Sequence, residues 1–345
     1  MLDRIAAQFI DYESITLPIP IGQGNINDTY RVDYQKDNHP GSILLQRLNH
    51  QVFKKPEWVM ENTVKVCTYL ANQPDYPLQV PQPIPDRDGR YLVQDNQGNY
   101  WRAFPFIQNS YTTEGLVSPE LAKEAASAYG AFARALRHFP ADTLAETIPG
   151  FHDTDQRWQV FLEVVKKDPV SRVGGVKREV DALFRAKPLF DLISQLKRSG
   201  DLPLRVAHND TKAGNVLFCK NTHKALAVID LDTVMPGTLL SDFGDMVRTF
   251  VPNLTEDATE EPAIRVEMLQ ALLDGFLSQT GDFITPIERK HLLAGGAWII
   301  GEQALRFLTD WIAGDVYYKI VYPEHNLVRA RNQLQLFEAM GDNLF

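Results

Sequence analysis

Three side chains, Asp210, Asn215 and Asp230, are the part of this chain best equipped for chemistry. The segment His208-Asn209-Asp210-Thr211-Lys212-Ala213-Gly214-Asn215 runs directly into the apolar stretch Val216-Leu217-Phe218. An Asp with an Asn five residues later, at the mouth of a strand, allows two tasks to be divided. The carboxylate can reach an acceptor hydroxyl as a base, while the Asn carbonyl turns back toward a metal on a triphosphate. Further on, Ala227-Val228-Ile229 ends in Asp230, fifteen residues after Asn215. A two-stranded hairpin of that length returns the chain to its start and sets Asp230 beside Asn215. That makes a hard oxygen pair suited to Mg²⁺, which keeps several waters and takes its remaining ligands from phosphate oxygens. Asp and Asn also favour plain turns through bonds to their own backbone, so it is the two halves together that make the reading specific.

Such a cluster needs a scaffold around it. At 345 residues the chain exceeds what one hydrophobic core usually fills, so two packed lobes with a cleft are expected. Up to Ile107 it reads largely as strands. Asp28 to Tyr34 and Ile43 to Leu48 flank the turn residues His39-Pro40-Gly41, and Arg90 to Gln94 and Tyr100 to Ile107 flank Asn96-Gln97-Gly98-Asn99. One helix opens at Pro56, with Trp58, Val59, Val66, Tyr69 and Leu70 near helical spacing. The prolines at 74, 77, 81, 83 and 85 then force a connector. Beyond Ser118 the pattern is helical over residues 119–138, 156–167, 177–197, 263–278 and 287–312, interrupted only by the hairpin segment 204–230. The expectation is an α+β fold, with a small β-rich N-lobe (residues 1–107) that binds nucleotide and a large, mainly helical C-lobe (residues 108–345) that carries the catalytic cluster and the acceptor.

Composition removes several other functions. A net charge of -9 and a pI near 5.4 do not suit a nucleic-acid binder, which needs concentrated Lys and Arg. The longest apolar stretches, such as Leu292 to Ile300, fall short of the roughly 20 residues of a membrane span. The start, MLDRIAAQFIDYES, lacks the apolar core of a secretory signal, so a cytoplasmic protein without a membrane partner is expected. Cys67 and Cys219, far apart and among apolar neighbours, read as reduced core thiols.

The loop and hairpin resemble those of the aminoglycoside phosphotransferase and choline kinase superfamily, and the resemblance covers nearly the whole chain in element order. It implies a two-lobed, protein-kinase-like fold and an ATP-dependent small-molecule kinase using ATP and Mg²⁺. Asp210 would be the catalytic base, Asn215 and Asp230 would hold the metal, and His208 would brace the loop, a role we favour over acid–base work of its own. Lys212 is either a cation on the transferring phosphate or a solvated loop lysine. Gly22-Gln23-Gly24-Asn25 resembles the phosphate-covering loop, with Gly22 and Gly24 allowing close backbone approach. Phe104-Pro105-Phe106-Ile107 would form the hinge against which adenine stacks. One strand departs from the pattern: where a Lys normally meets the α- and β-phosphates stands Ile43-Leu44-Leu45-Gln46-Arg47. Alternation lets only Gln46 or Arg47 face the nucleotide. We expect Gln46 to do so, bonding to Glu57 or Glu61. The missing lysine leaves open a nucleotide-binding protein without catalysis, which the intact Asp210, Asn215 and Asp230 oppose. Asp242-Phe243-Gly244 spells the metal tripeptide of protein kinases, but the superfamily match gives that role to Asp230, and Asp242 reads as the cap of the helix toward Phe250.

Further strings resemble one branch, the N-acetylhexosamine 1-kinases: 24–30 (GNINDTY), 45–49 (LQRLN), 228–237 (VIDLDTVMPG) and 304–310 (ALRFLTD). The resemblance implies a small-molecule acceptor, an amino sugar phosphorylated at its anomeric hydroxyl; a kinase of an amino alcohol or an aminoglycoside is the alternative. Arg306 and Asp310, four apart on one helical face, could offer a donor fork and an acceptor side by side, with Tyr317 or Tyr318 against the apolar face of a sugar.

Overall fold

Alternating apolar residues on two long strands build the small lobe of this computed structural model, which describes residues 2–21, 26–113 and 115–344. Helix α1 (Leu2–Phe9) and the short strands β1 (Ser14–Ile15) and β2 (Ile19–Pro20) precede the hairpin of β3 (Asp28–Lys36) and β4 (His39–Leu48). The turn falls at Asp37-Asn38, both in the left-handed region at φ 52° and 60°, and not at His39-Pro40-Gly41, which pair within β4. Two left-handed residues match the right-handed twist of the flanking strands, and Asp and Asn tolerate that conformation. Helix α2 (Pro56–Ala71) starts on its proline, as expected. Strands β5 (Val93–Gln94) and β6 (Tyr100–Pro105) complete an antiparallel sheet of order β1-β3-β4-β6-β5, with β2 on β3. Ile43, Leu45, Trp101 and Ala103 face the back of the sheet, where Ile5, Ala6 and Phe9 of α1 cover them. The opposite alternation sends Leu44, Gln46, Arg102 and Phe104 into the cleft.

A two-residue strand, β7 (Ser110–Tyr111), leads into the large lobe. Then come α3 (Pro119–Ala135), α4 (Thr154–Lys167), α5 (Lys177–Ser199), β8 (Arg205–Ala207), β9 (Val216–Cys219), β10 (Ala225–Val228), β11 (Met235–Gly237), α6 (Leu239–Phe250), α7 (Val266–Thr280), α8 (Pro286–Ala313) and α9 (His325–Leu344). The anticipated hairpin is β9–β10, and β7 joins it as a third strand, so the chain leaving the small lobe is stitched to the loop it must face. Strands β8 and β11 pair at the other end of that loop. Helix α8, capped by the reciprocal Thr285–Glu288 box, runs through the centre of the lobe. Helices α6 and α8 touch where a Cβ on Gly244 would sit 2.4 Å from the carbonyl of Gly295, so only glycine permits this approach. Helices α1 and α9 and the strands β1, β2, β7, β8 and β11 were not anticipated. Cys67 is buried, and burial pushes its thiol up to about 12, whereas Cys219 is only half-buried at the lobe surface and is no core residue. Among the described residues no helix is long and apolar enough to cross a membrane.

Candidate active site

The loop from His208 to Asn215 carries few apolar anchors and is held by hydrogen bonds on every side. From α6, the Asp242 carboxylate accepts the amides of His208 and Asn209 at 2.9 and 2.8 Å, and Asp245 accepts that of Thr211 at 2.8 Å. The Tyr129 hydroxyl of α3 donates to the Lys212 carbonyl at 2.7 Å, and Thr233 donates to that of His208 at 2.7 Å. His208 is fully buried against the edges of Tyr129 and Phe132. Its Nε2 donates to the Ile229 carbonyl at 3.0 Å, and its Nδ1 accepts from the Asp210 amide at 3.3 Å. The imidazole is therefore a brace with both nitrogens engaged, and burial lowers its pKa. Asp242 does not cap α6: Thr238 does, in a box with Ser241. The extended backbone of Thr238 suits a cap, whereas Asp242 lies a full turn into the helix with its carboxylate aimed at the loop.

The loop's polar ends converge. Asn215 Nδ2 donates to the Asp210 carbonyl at 2.8 Å and to its carboxylate at 2.7 Å, and Lys212 Nζ is 2.8 Å from the same oxygen. The Ile229 amide donates to the Asn215 carbonyl at 2.9 Å, which brings Asp230 next to Asn215. Asp230 itself is left-handed at φ 60°, a conformation that costs a non-glycine residue about 1 kcal/mol and that gathers at functional sites. Burial disfavours ionisation of Asp210, but Lys212, His208 and Asn215 outweigh it and hold its pKa below the ordinary value. Asp230 behaves oppositely: enclosure by the cleft walls, with the carboxylates of Asp232 and Asp210 close by, pushes it up to about 7. A carboxylate squeezed between like charges is stabilised by a cation, so Asp230 and Asn215 fit Mg²⁺. Among the described residues no three His, Cys, Asp or Glu side chains are grouped to hold an ion.

Across the cleft, Gln46 points inward and Arg47 turns out to Asp28. The partner of Gln46 is neither Glu57 nor Glu61. Its carbonyl accepts from Nε and Nη2 of Arg102, directly opposite on β6, at 2.8 and 2.5 Å, and its amide donates to Thr29 at 2.9 Å. Arg102 is 2% exposed and sits 2.6 Å from Asp232, whose other oxygen accepts from Asn27 at 2.7 Å. A buried cation thus stands beside the position of the missing lysine and ties the small lobe to the turn after Asp230. Arg102 was legible in principle, since it shares a face with Phe104 two residues on. Arg102→Ala strands Asp232 as an uncompensated buried charge and is expected to cost about 3–5 kcal/mol, with Asp232→Asn in the same chain restoring much of it; thermal denaturation measures both.

Phe104, Phe106 and Ile107 line the cleft, which encloses about 2100 Å³ and also reaches Asp210, Lys212, Asn215, Asp230, Arg306 and Tyr317. Gly22 and Gly24 lie outside the described residues. Arg306 donates to Gln303 at 3.2 Å and lies 5.5 and 5.6 Å from the ring centres of Phe151 and Tyr318. Asp310 does not join it in the cleft. It is 4% exposed, and its carboxylate accepts the amides of Val316, Tyr317 and Tyr318 and the side chain of Asn326. Its short side chain is consumed in folding the loop that presents Tyr317, so it is a loop anchor and no substrate acceptor.

Residues 19–277 match the family model described as APH, phosphotransferase enzyme family. Among solved structures, the chain is similar to a microcompartment-associated aminopropanol kinase, with 18% identity, 99% of this chain and 97% of that chain covered, and a TM-score of 0.68. It is similar to a spectinomycin phosphotransferase in complex with ADP and spectinomycin, at 14% identity, 98% and 97% coverage and a TM-score of 0.59. A choline kinase from Cryptosporidium parvum Iowa II aligns at 16% identity, 97% and 92% coverage and a TM-score of 0.58. These likenesses carry the two-lobed kinase-like fold. With residues 19–277, most of its length, inside the family model, the chain belongs to the APH phosphotransferase family and transfers phosphoryl groups to hydroxyl acceptors.

Proposed function

We propose that the protein is an ATP-dependent kinase that phosphorylates the anomeric hydroxyl of an N-acetylhexosamine, giving the sugar 1-phosphate and ADP. The nucleotide would lie between residues 1–107 and 108–345, with adenine against Phe104, Phe106 and Ile107 and phosphates toward Gln46 and Lys212. The ADP held by the similar spectinomycin phosphotransferase supports the choice of nucleotide. Asp210 receives the acceptor's proton, and Asn215 and Asp230 would hold Mg²⁺. When bound, that ion offsets charge on the phosphate oxygens. Lys212, half-exposed and 2.8 Å from Asp210, is placed to follow the transferring phosphate.

The observation that carries the acceptor class is the charge of the cleft. Although the chain has a net charge of -9, the described cleft lining holds eight Lys and Arg side chains against six Asp and Glu. Among the described residues no carboxylate lies within ion-pair distance of Arg306. A polycationic aminoglycoside or a quaternary amine needs carboxylates or an aromatic cage, and an unpaired guanidinium opposes both. A neutral acceptor rich in hydroxyl and carbonyl oxygens meets it well, as the strings shared with N-acetylhexosamine 1-kinases suggest.

Coupled ADP release with free hexosamines, neutral hexoses, choline, homoserine and aminoglycosides tests this directly. Faster turnover of choline or an aminoglycoside than of any hexosamine at equal concentration rejects the sugar while leaving the kinase. Arg306→Ala is expected to raise the KM for the sugar by roughly 10- to 100-fold, the value of a lost charge-assisted hydrogen bond, and to leave the KM for ATP within about twofold.

A further inference from the structure

The cleft wall contains a histidine that the phosphoryl-transfer machinery does not use. Phe151 and His152, on the loop before α4, line the same cleft as Glu302, Gln303 and Arg306 of α8. His152 Nδ1 is 2.8 Å from Oε1 of Glu302, which is 1% exposed. The second oxygen of Glu302 accepts from the Thr154 hydroxyl, which in turn accepts from the Trp298 indole at 2.7 Å. Arg157 stands 3.8 Å from Oε1. Burial opposes ionisation of Glu302, but His152 and Arg157 outweigh it and hold the carboxyl at about 2. Glu302 is thus an anion that fixes the proton of His152 on Nδ1.

The other nitrogen, Nε2, is buried and has no hydrogen-bond partner. Leaving a buried polar atom unpaired costs about 1–3 kcal/mol. The rings nearest the imidazole are Phe151 at 4.7 Å and Trp298 at 5.7 Å. Thr147 Oγ1, on the same loop and also in the cleft wall, is a second buried atom without a partner. Glu302, itself held by Thr154 and Arg157, therefore locks the imidazole and leaves a single nitrogen without a partner, beside the aromatic ring that also carries Arg306.

We propose that His152, fixed by Glu302, is an acceptor-binding residue whose Nε2 bonds a hydroxyl of a neutral, polyhydroxylated acceptor, while Glu302 acts as its positioning residue. A hydroxyl both donates and accepts, so it satisfies Nε2 whether or not that nitrogen carries a proton. The inference rests on the sugar-kinase reading for the choice of acceptor.

Two variants separate the two nitrogens. In His152→Asn the amide nitrogen replaces Nδ1 and keeps the bond to Glu302, whereas in His152→Gln the amide reaches to where Nε2 lies. With N-acetylglucosamine as the probe, His152→Asn is expected to raise the acceptor KM about tenfold or more while the KM for ATP stays within about twofold. His152→Gln is expected to hold the acceptor KM within about threefold while melting earlier. An unchanged acceptor KM in His152→Asn, or equal rises in both KM values with a lower melting temperature, overturns the proposal.

A series of singly deoxygenated sugars provides an independent reading. One analogue should lose about tenfold in kcat/KM with the wild type and no further activity with His152→Asn; an equal loss in both enzymes overturns the assignment. Should neither variant fold, the wild-type series decides, and losses below about threefold at every position reject a hydroxyl contact of this kind. If the wild type does not turn over N-acetylglucosamine, the sugar reading fails by itself. The same variants are then measured on the fastest acceptor of the screen, where an unchanged acceptor KM in His152→Asn rejects the His152 assignment.

Discussion

Asp210→Asn is expected to lower kcat by roughly 10²- to 10⁴-fold while the affinity for nucleotide changes little, the usual size of a general-base contribution. Asn is nearly isosteric, and the bonds that shape the loop run to its backbone. The Asp210 amide meets His208 and its carbonyl accepts from Asn215. What the substitution removes is the oxygen that Lys212 and Asn215 hold in its ionised form at 2.8 and 2.7 Å. Single-turnover phosphorylation beside nucleotide titration separates the two effects. A variant that keeps more than about half of the wild-type kcat takes Asp210 out of the mechanism.

The second large effect concerns two aspartates that the sequence makes easy to confuse. Asp230→Ala is expected to abolish Mg²⁺-dependent ATP binding, because its carboxylate lines the cleft beside Asn215, where burial and then the nearby Asp232 and Asp210 push it up to about 7 and a cation would relieve it. Asp242→Ala should keep that binding and instead lower stability. It removes the shared acceptor of two buried amides, those of His208 and Asn209, and each stranded donor costs about 1–3 kcal/mol. Its kcat should fall with the order of the loop. Calorimetric titration of ATP with and without Mg²⁺, together with melting curves, distinguishes the pair. Loss of the metal dependence in Asp242→Ala and its retention in Asp230→Ala would reverse the assignment.

The local parts of this protein were open to reading from the chain alone. A five-residue Asp-to-Asn spacing into an apolar strand, with a second strand ending in Asp230, needs only the geometry of one hairpin, and the structure builds that hairpin as β9 and β10. Strand alternation likewise limited the lysine-less position to Gln46 or Arg47, because period-two geometry is local. Helices α2, α3, α4, α5, α7 and α8 followed from periodicity over many turns. Helix α1 did not, because its eight residues give barely two turns of pattern, too short a window to separate a helix from a loop, and the sheet that covers its apolar face is built from Val32, Ile43, Leu45 and Trp101, residues distant in sequence. The hairpin turn was misplaced for a related reason: Asp37-Asn38 and His39-Pro40-Gly41 are both turn-prone, and the register of β3 against β4 chooses between them.

What only the tertiary structure decided is how charges separated by a hundred residues or more are paired. Spacing put Arg306 and Asp310 on one helical face, yet Asp310 is taken by the amides of residues 316–318, and Arg306 is left over the rings of Phe151 and Tyr318. Arg102 meets Asp232, and His152 meets Glu302, across 130 and 150 residues of chain. An ion pair or a buried hydrogen bond acts over a few ångströms and depends on burial, and neither quantity is set by sequence distance. Local geometry was therefore enough to bring Asp210, Asn215 and Asp230 together, and the packing of the two lobes determined which distant charges are paired and which stand in the cleft.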